Sequence, residues 1–290
     1  MTAAKWLMLA VQASIFLTVV ALGLRARFRD AASLLRRPGA LSRALLSMYV
    51  LMPALAVLLA LAFDLKPIVG FVLVALSLAP VPPLLPRKTG KAGGDPTYVI
   101  SLLAIAAVLS IVLIPVGLRI VSAITGNETR VEMAHVIKGV LVGVLIPLTL
   151  GMAVRWRFPR FAARAAKPMG RVALVLLVAS IPFLFVFAWP KVPGLIGDGT
   201  ILTMVIFVAG GLAAGHFIGG PDAHERADLA LACGARHPGI AFTLGSMNFT
   251  EPKLVMGAVL LYLIVAAVVA IPYIVLQKRR HPVARDLGYR

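Results

Sequence analysis

The sequence predicts an all-α polytopic membrane protein of about nine transmembrane helices, built as inverted repeats with two broken helices. Three observations predict it. Hydrophobic residues make up 60% of the 290 and charged residues only 14%, at a mean hydropathy of +0.96. A water-soluble domain cannot hide that much apolar surface, so lipid is the solvent. Weakly charged runs of about 20 residues recur along the chain, each able to cross about 30 Å of hydrocarbon. Two of those runs are interrupted by proline in corresponding halves, which points to a transporter with a central site.

In chain order the spans fall at about 6–24, 44–63, 67–86, 96–118, 134–154, 172–190, 200–219, 227–249 and 254–276. The first is too long for a cleaved leader and runs straight into arginines, which predicts a retained span. Behind it, residues 25–43 hold six arginines. The third span, "KPIVGFVLVALSLAPVPPLLPRKTGKAGGDP", runs into Pro80, Pro82, Pro83 and Pro86. Each proline removes a backbone donor, and its ring crowds the turn before it. The freed carbonyls cannot face lipid, so this stretch is expected inside protein or along a cavity. The eighth span breaks the same way at Pro238-Gly239.

Six Lys or Arg lie in 155–171 and five in 277–290. With nine spans all three basic segments share one face, and loops such as "TGNETRVE" and "GLIGDG" fall opposite. The positive-inside rule then places the N-terminus outside and the basic 277–290 tail in the cytoplasm. Residues 1–290 read as one transmembrane domain, with a first repeat over about 1–125 and a second over about 134–276.

The net charge of +18 sits in short juxtamembrane clusters without interleaved aromatics. That pattern suits anionic lipid headgroups and argues against nucleic acid. The single Cys233 excludes an internal disulfide or a cysteine-based metal cluster and reads as a small buried residue. His216, His224 and Glu225 in "GHFIGGPDAHERAD" lack the H-E-x-x-H spacing, and no G-x-S-x-G elbow is present. An enzyme is not expected, nor a cofactor or a bound metal.

The run "LGLRARFRDAASLLRRPGALSRALLSMYVLMPALAVLLALAFDL" (22–65) resembles the opening of the bile acid:sodium symporter family. "GDPTYVISLLAIAAVLSIVLIP" (94–115) is similar to the span after that family's first crossover, and "GARHPGIAFTLG" (234–245) to its second-crossover motif. The resemblance covers nearly the whole chain and is to a divergent, bacterial-type member. It implies a secondary transporter in a bacterial inner (plasma) membrane. It also implies a panel domain of spans one, five and six, and a core of spans two to four and seven to nine where the broken helices cross.

The chain departs from the family where sodium would bind. The family's acidic residue and amide, four positions apart in the second crossover, fall on Ala232 and Arg236. The Gly-Gly and Ser-Asn of its first crossover fall on Val81-Pro82 and Leu85-Pro86, and a glutamine of the preceding core span falls on Met48. Hard cations need oxygen ligands, and these side-chain donors are lost together. A family site with one carboxylate and two sodium ions carries a charge of about +1; here Arg236 alone supplies it. An arginine near the midplane costs roughly 3 kcal/mol, so it should face a cavity and be paired. Carbonyls left free before Pro238 are its expected acceptors, because a cation is favoured at a helix C-terminus.

The implied substrate is a small organic anion, with Arg236, His237, Thr89, Ser101 and Thr243 as candidate binding residues. His237 replaces a family amide; it is substrate-facing, proton-carrying or a hydrogen-bonded structural residue. Asp95 is either the N-cap of the fourth span or an anionic partner and proton carrier. Arg87, Lys88 and Lys91 either match Arg236 at the first break or lie in a cytoplasmic loop. Ser246 and Asn248 join the small polar residues that line a cavity or contact neighbouring helices. The expectation is a sodium-independent carrier; the alternative is a non-transporting receptor or assembly protein that retains the fold. The oligomeric state is left open.

Overall fold

The computed structural model describes residues 3–126 and 132–280; residues 127–131 of the "TGNETRVE" loop and 281–290 of the basic tail lie outside the described residues. The described residues form helices joined by short irregular segments, without strands. We number the helices α1 (Ala3–Gly23), α2 (Pro38–Ala62), α3 (Pro67–Leu78), α4 (Leu85–Lys91), α5 (Pro96–Thr125) and α6 (Met133–Arg157). They continue as α7 (Pro159–Ala188), α8 (Thr200–Ile218), α9 (Ala223–Gly234), α10 (Pro238–Asn248) and α11 (Pro252–Arg280). Six of these begin on proline, whose fixed φ and missing N–H suit a first turn.

Six stretches are long and apolar enough to cross a membrane: α2, α5, α6, α7 through Lys191, α8 and α11. The sequence predicts about nine. The difference lies in α1, whose described apolar part is Leu9–Gly23, and in two helices that are interrupted. The third predicted span stops at Leu78, eight residues early, because Ala79 precedes Pro80 and takes an extended ψ of 149°. The chain stays non-helical until α4. The eighth divides into α9 and α10 across Ala235–His237.

Packing follows the small residues. α1 lies against α6 and α7. At Gly23 an added Cβ would stand 2.4 Å from the Leu148 carbonyl, and at Gly151 one would stand 2.5 Å from that of Val20. The two backbones touch, and only glycine permits it. Elsewhere α2 packs on α3, α8 on α9, and α11 on α8 and α10. The second half of one interrupted pair, α10, packs on the first half of the other, α3. The outer surface is apolar: Val175, Phe183 and Val186 of α7 are more than half exposed, as lipid-facing positions are.

α2 is not uniform. Residues Ser47–Leu51 widen into a π-turn just before Pro53. Proline cannot donate to the preceding turn, and the wider turn releases a carbonyl there.

Candidate functional site

The two interruptions meet. The His237 N–H donates to the Pro80 carbonyl at 3.0 Å, joining backbone to backbone across the breaks. Beside it the Arg236 side chain donates from Nη1 to the Ala79 carbonyl at 3.3 Å and from Nη2 to the Met48 carbonyl of the π-turn. Its guanidinium also lies 5.8 Å from the Tyr49 ring centroid, within cation–π range. Arg236 is 1% and His237 5% exposed, so the crossing is closed to solvent. An arginine this buried is tolerated because its charge is spread over carbonyls and a ring.

Arg236 departs from its expected acceptors. The sequence argument assigns it the free carbonyls before Pro238, yet it bonds carbonyls of the first break and of α2. The Tyr262 hydroxyl donates to the eighth-span carbonyl of Gly234 at 3.1 Å, and the oxygen of that hydroxyl accepts the Arg236 backbone N–H at 3.1 Å. With that carbonyl occupied, the long guanidinium reaches outward and ties three elements together.

His237 caps α10. Its Nδ1 accepts from the Ile240 N–H at 3.4 Å, which leaves the ring proton on Nε2. That Nε2 and the Arg236 Nε are both buried without a partner among the described residues. Two adjacent residues thus present unsatisfied donors at the crossing. Donors without acceptors in a buried place cost about 1–3 kcal/mol each, and an anionic group supplies what they lack.

The other predicted residues scatter. Thr243 lies one turn into α10 and donates to the Gly239 carbonyl at 2.9 Å. The Ser246 hydroxyl on the same helix is buried without a partner, and Asn248 donates to Leu244 at 2.8 Å. Thr89 on α4 donates weakly to Pro86 at 3.3 Å. The Ser101 hydroxyl accepts from the Leu34 N–H at 2.9 Å and donates to the Ala31 carbonyl at 3.0 Å. It fastens α5 to the basic 25–43 segment, away from the crossing. Asp95 is the N-cap of α5, accepting from the Thr97 N–H at 2.8 Å. Arg87 donates to the Gly170 carbonyl in the basic 155–171 segment, which favours the loop reading for it. Lys88 is half-buried on α4 and makes no ion pair among the described residues. Lys91 is the last residue of α4.

Three contributors escape the sequence reasoning. Tyr49 and Tyr262 hold the site, and their signal is a hydroxyl inside an otherwise apolar span. Asp228 is the third: it is 0% exposed on α9, one helical turn before Ala232. Its Oδ2 accepts the Asp95 N–H at 2.7 Å, so α9 is fastened to the start of α5. Near the same end, Arg37 forms a bidentate pair with Glu225, with one contact at 3.1 Å.

A family profile described as "Sodium Bile acid symporter family" matches residues 13–192, which contain the first break and end before the second. The chain is 27% identical over 225 residues to the mouse "Sodium-dependent organic anion transporter", covering 76% of this chain and 60% of that protein. It is 22% identical over 224 residues to the human "Ileal sodium/bile acid cotransporter", covering 76% and 64%. It is 26% identical over 212 residues to the rat "Sodium/bile acid cotransporter 4", covering 71% and 48%. The chain thus spans about half to two thirds of the length of the curated relatives it matches. Long apolar helices and a profile matching more than half the chain lead to one statement: this is an integral membrane protein belonging to the sodium bile acid symporter family.

Proposed function

We propose that the chain is a sodium-independent carrier of a small organic anion, with the Arg236 guanidinium standing where relatives named as sodium-dependent would hold a cation. The observation that carries this reading is the crossing itself. Arg236 bridges the Ala79 carbonyl of the first break and the Met48 carbonyl of the π-turn, while Nε of Arg236 and Nε2 of His237 point donors at no acceptor. The positions that resemble the family's sodium ligands carry Met48, Leu85, Pro86, Ala232 and Arg236, none with a side-chain oxygen. A carboxylate or sulfonate fits two adjacent N–H donors. The same reading takes nine spans in two inverted repeats, α1, α6 and α7 as the panel, and the basic segments in the cytoplasm.

The test is a melting screen of purified protein with bile acids and small carboxylates, in sodium and in choline at equal ionic strength. A ligand that binds the folded state raises the melting temperature by mass action. Stabilisation by an anion, equal in both salts and lost in Arg236→Ala, is the expected outcome. A saturable sodium requirement would overturn it. Liposome flux of the same anion then separates a carrier from a receptor.

A further inference from the structure

Among the described residues only two carboxyl side chains are buried, Glu225 and Asp228. Glu225 is neutralised by its bidentate pair with Arg37. Asp228 has no salt bridge among the described residues; its Oδ2 accepts the Asp95 N–H, and its Oδ1 has no partner at all. The carboxyl is pressed against the backbone of Gly94, where an added Cβ would stand 1.8 Å from Oδ1. No water-sized gap separates the two.

Its charged surroundings do not compensate it. Asp95 of α5 and Asp222 and Glu225 of α9 act on it with like charge. Tyr98 of α5 lies near it and near Arg43 of α2; Tyr273 of α11 lies near it and near Arg226 of α9. Lys88 on the facing α4 makes no ion pair among the described residues. A lone carboxylate in a place closed to water is far costlier than the neutral acid, so the packed arrangement favours the neutral form.

Position gives that proton a use. Glu225, Asp228 and Ala232 succeed one another at intervals of three and four residues, one stripe of α9 that leads to the break carrying Arg236. The stripe runs from a half-exposed ion pair, past Asp228, to the crossing. We propose that Asp228 is a proton-binding site, neutral when α9 is packed on Gly94 and ionised when that contact opens to water. On opening, Oδ1 gives its proton to water and the carboxylate keeps the electron pair; on closing it takes a proton back. The inference rests on the carrier reading only for what the proton drives, namely movement of the anion without sodium.

The experiment reads the proton on the protein itself. Infrared spectra of the full chain in detergent are recorded from about pH 5 to about pH 9, for the wild type and Asp228→Asn. The asparagine keeps an oxygen for the Asp95 N–H but cannot ionise. A protonated-carboxyl band present at neutral pH, fading as pH rises and absent from Asp228→Asn, is the expected result. Melting should agree: stability supplied by the neutral acid is lost as pH rises in the wild type, and the variant should lose that dependence. A wild type without such a band overturns the proposal, even if the variant fails to fold, because ion-paired Glu225 does not supply one. Anion stabilisation in a protein lacking the band would leave the carrier reading standing and sink this one. The band without any anion effect would support the proton site and count against the carrier.

Discussion

Arg236 carries the densest set of obligations of any side chain here, and its replacement separates them. Arg236→Ala leaves the Ala79 and Met48 carbonyls buried without donors, at about 1–3 kcal/mol each. The variant should melt lower than the wild type and lose its response to anions. Arg236→Lys keeps the charge but not the planar fork, so it cannot satisfy both carbonyls and should fall between the two. Equal melting of all three proteins, with equal ligand response, would reduce Arg236 to a bystander. Asparagine is as good an N-cap as any residue, so His237→Asn should preserve α10 while removing the ring Nε2 donor. Its expected signature is weakened anion binding at unchanged melting temperature; a lowered melting temperature with intact binding would make His237 purely a cap. The need to pair Arg236 is readable from the sequence, since a charge in an apolar run must be compensated. Its partners are not, because nothing local couples position 236 to a π-turn 188 residues earlier.

The helix ends show how far local chemistry reaches. Four prolines within seven residues predict the first break, and the pre-proline restriction at Ala79 fixes where α3 stops. Pro238-Gly239 predicts the second. Asp95 takes the cap, one of the two roles the sequence leaves open, because "GDP" before an apolar run combines a capping acid with a first-turn proline. Ser101 and Asp228 do not read, since their partners come from distant segments that sequence periodicity cannot place. Asp222 offers a measurement at this scale. It caps α9 by accepting from the His224 N–H at 2.8 Å and the Glu225 N–H at 3.1 Å. Those donors, Glu225 first, hold its carboxyl below the usual aspartate range. A depressed value stabilises the folded state above the ordinary aspartate pKa of about 3.9 and loses that effect as pH falls through it. Asp222→Ala should therefore cost about 1 kcal/mol at neutral pH, and the gap to the wild type should close below about pH 4. A gap that stays constant into acid would mean that the capping carboxylate is not its source.

For the whole molecule the charge distribution decides more than any single contact. A chain of net charge +18 places 17 of its 29 Lys and Arg in three segments, and α7 leaves the basic 155–171 segment to run through exposed valines and phenylalanines. Six helices are long and apolar enough to be continuous spans; the proposed reading adds α1 and the two interrupted pairs to reach nine. That count has a consequence at two distant positions. With nine crossings, Arg160 at the start of α7 and Arg279 at the end of α11 share a side, and Asp198 between α7 and α8 lies opposite. All three positions are exposed, and the free Cys233 is buried, so single cysteines placed there report cleanly on a Cys233→Ala background. In right-side-out vesicles a membrane-impermeant thiol reagent should label position 198 and reach 160 and 279 only after permeabilisation. If an interrupted pair were instead a re-entrant loop, every later segment would change sides, and the basic clusters would no longer share a face against the positive-inside rule. Labelling that puts 160 and 279 on opposite sides would remove the ninth crossing, and the inverted pairing of the two broken helices would go with it.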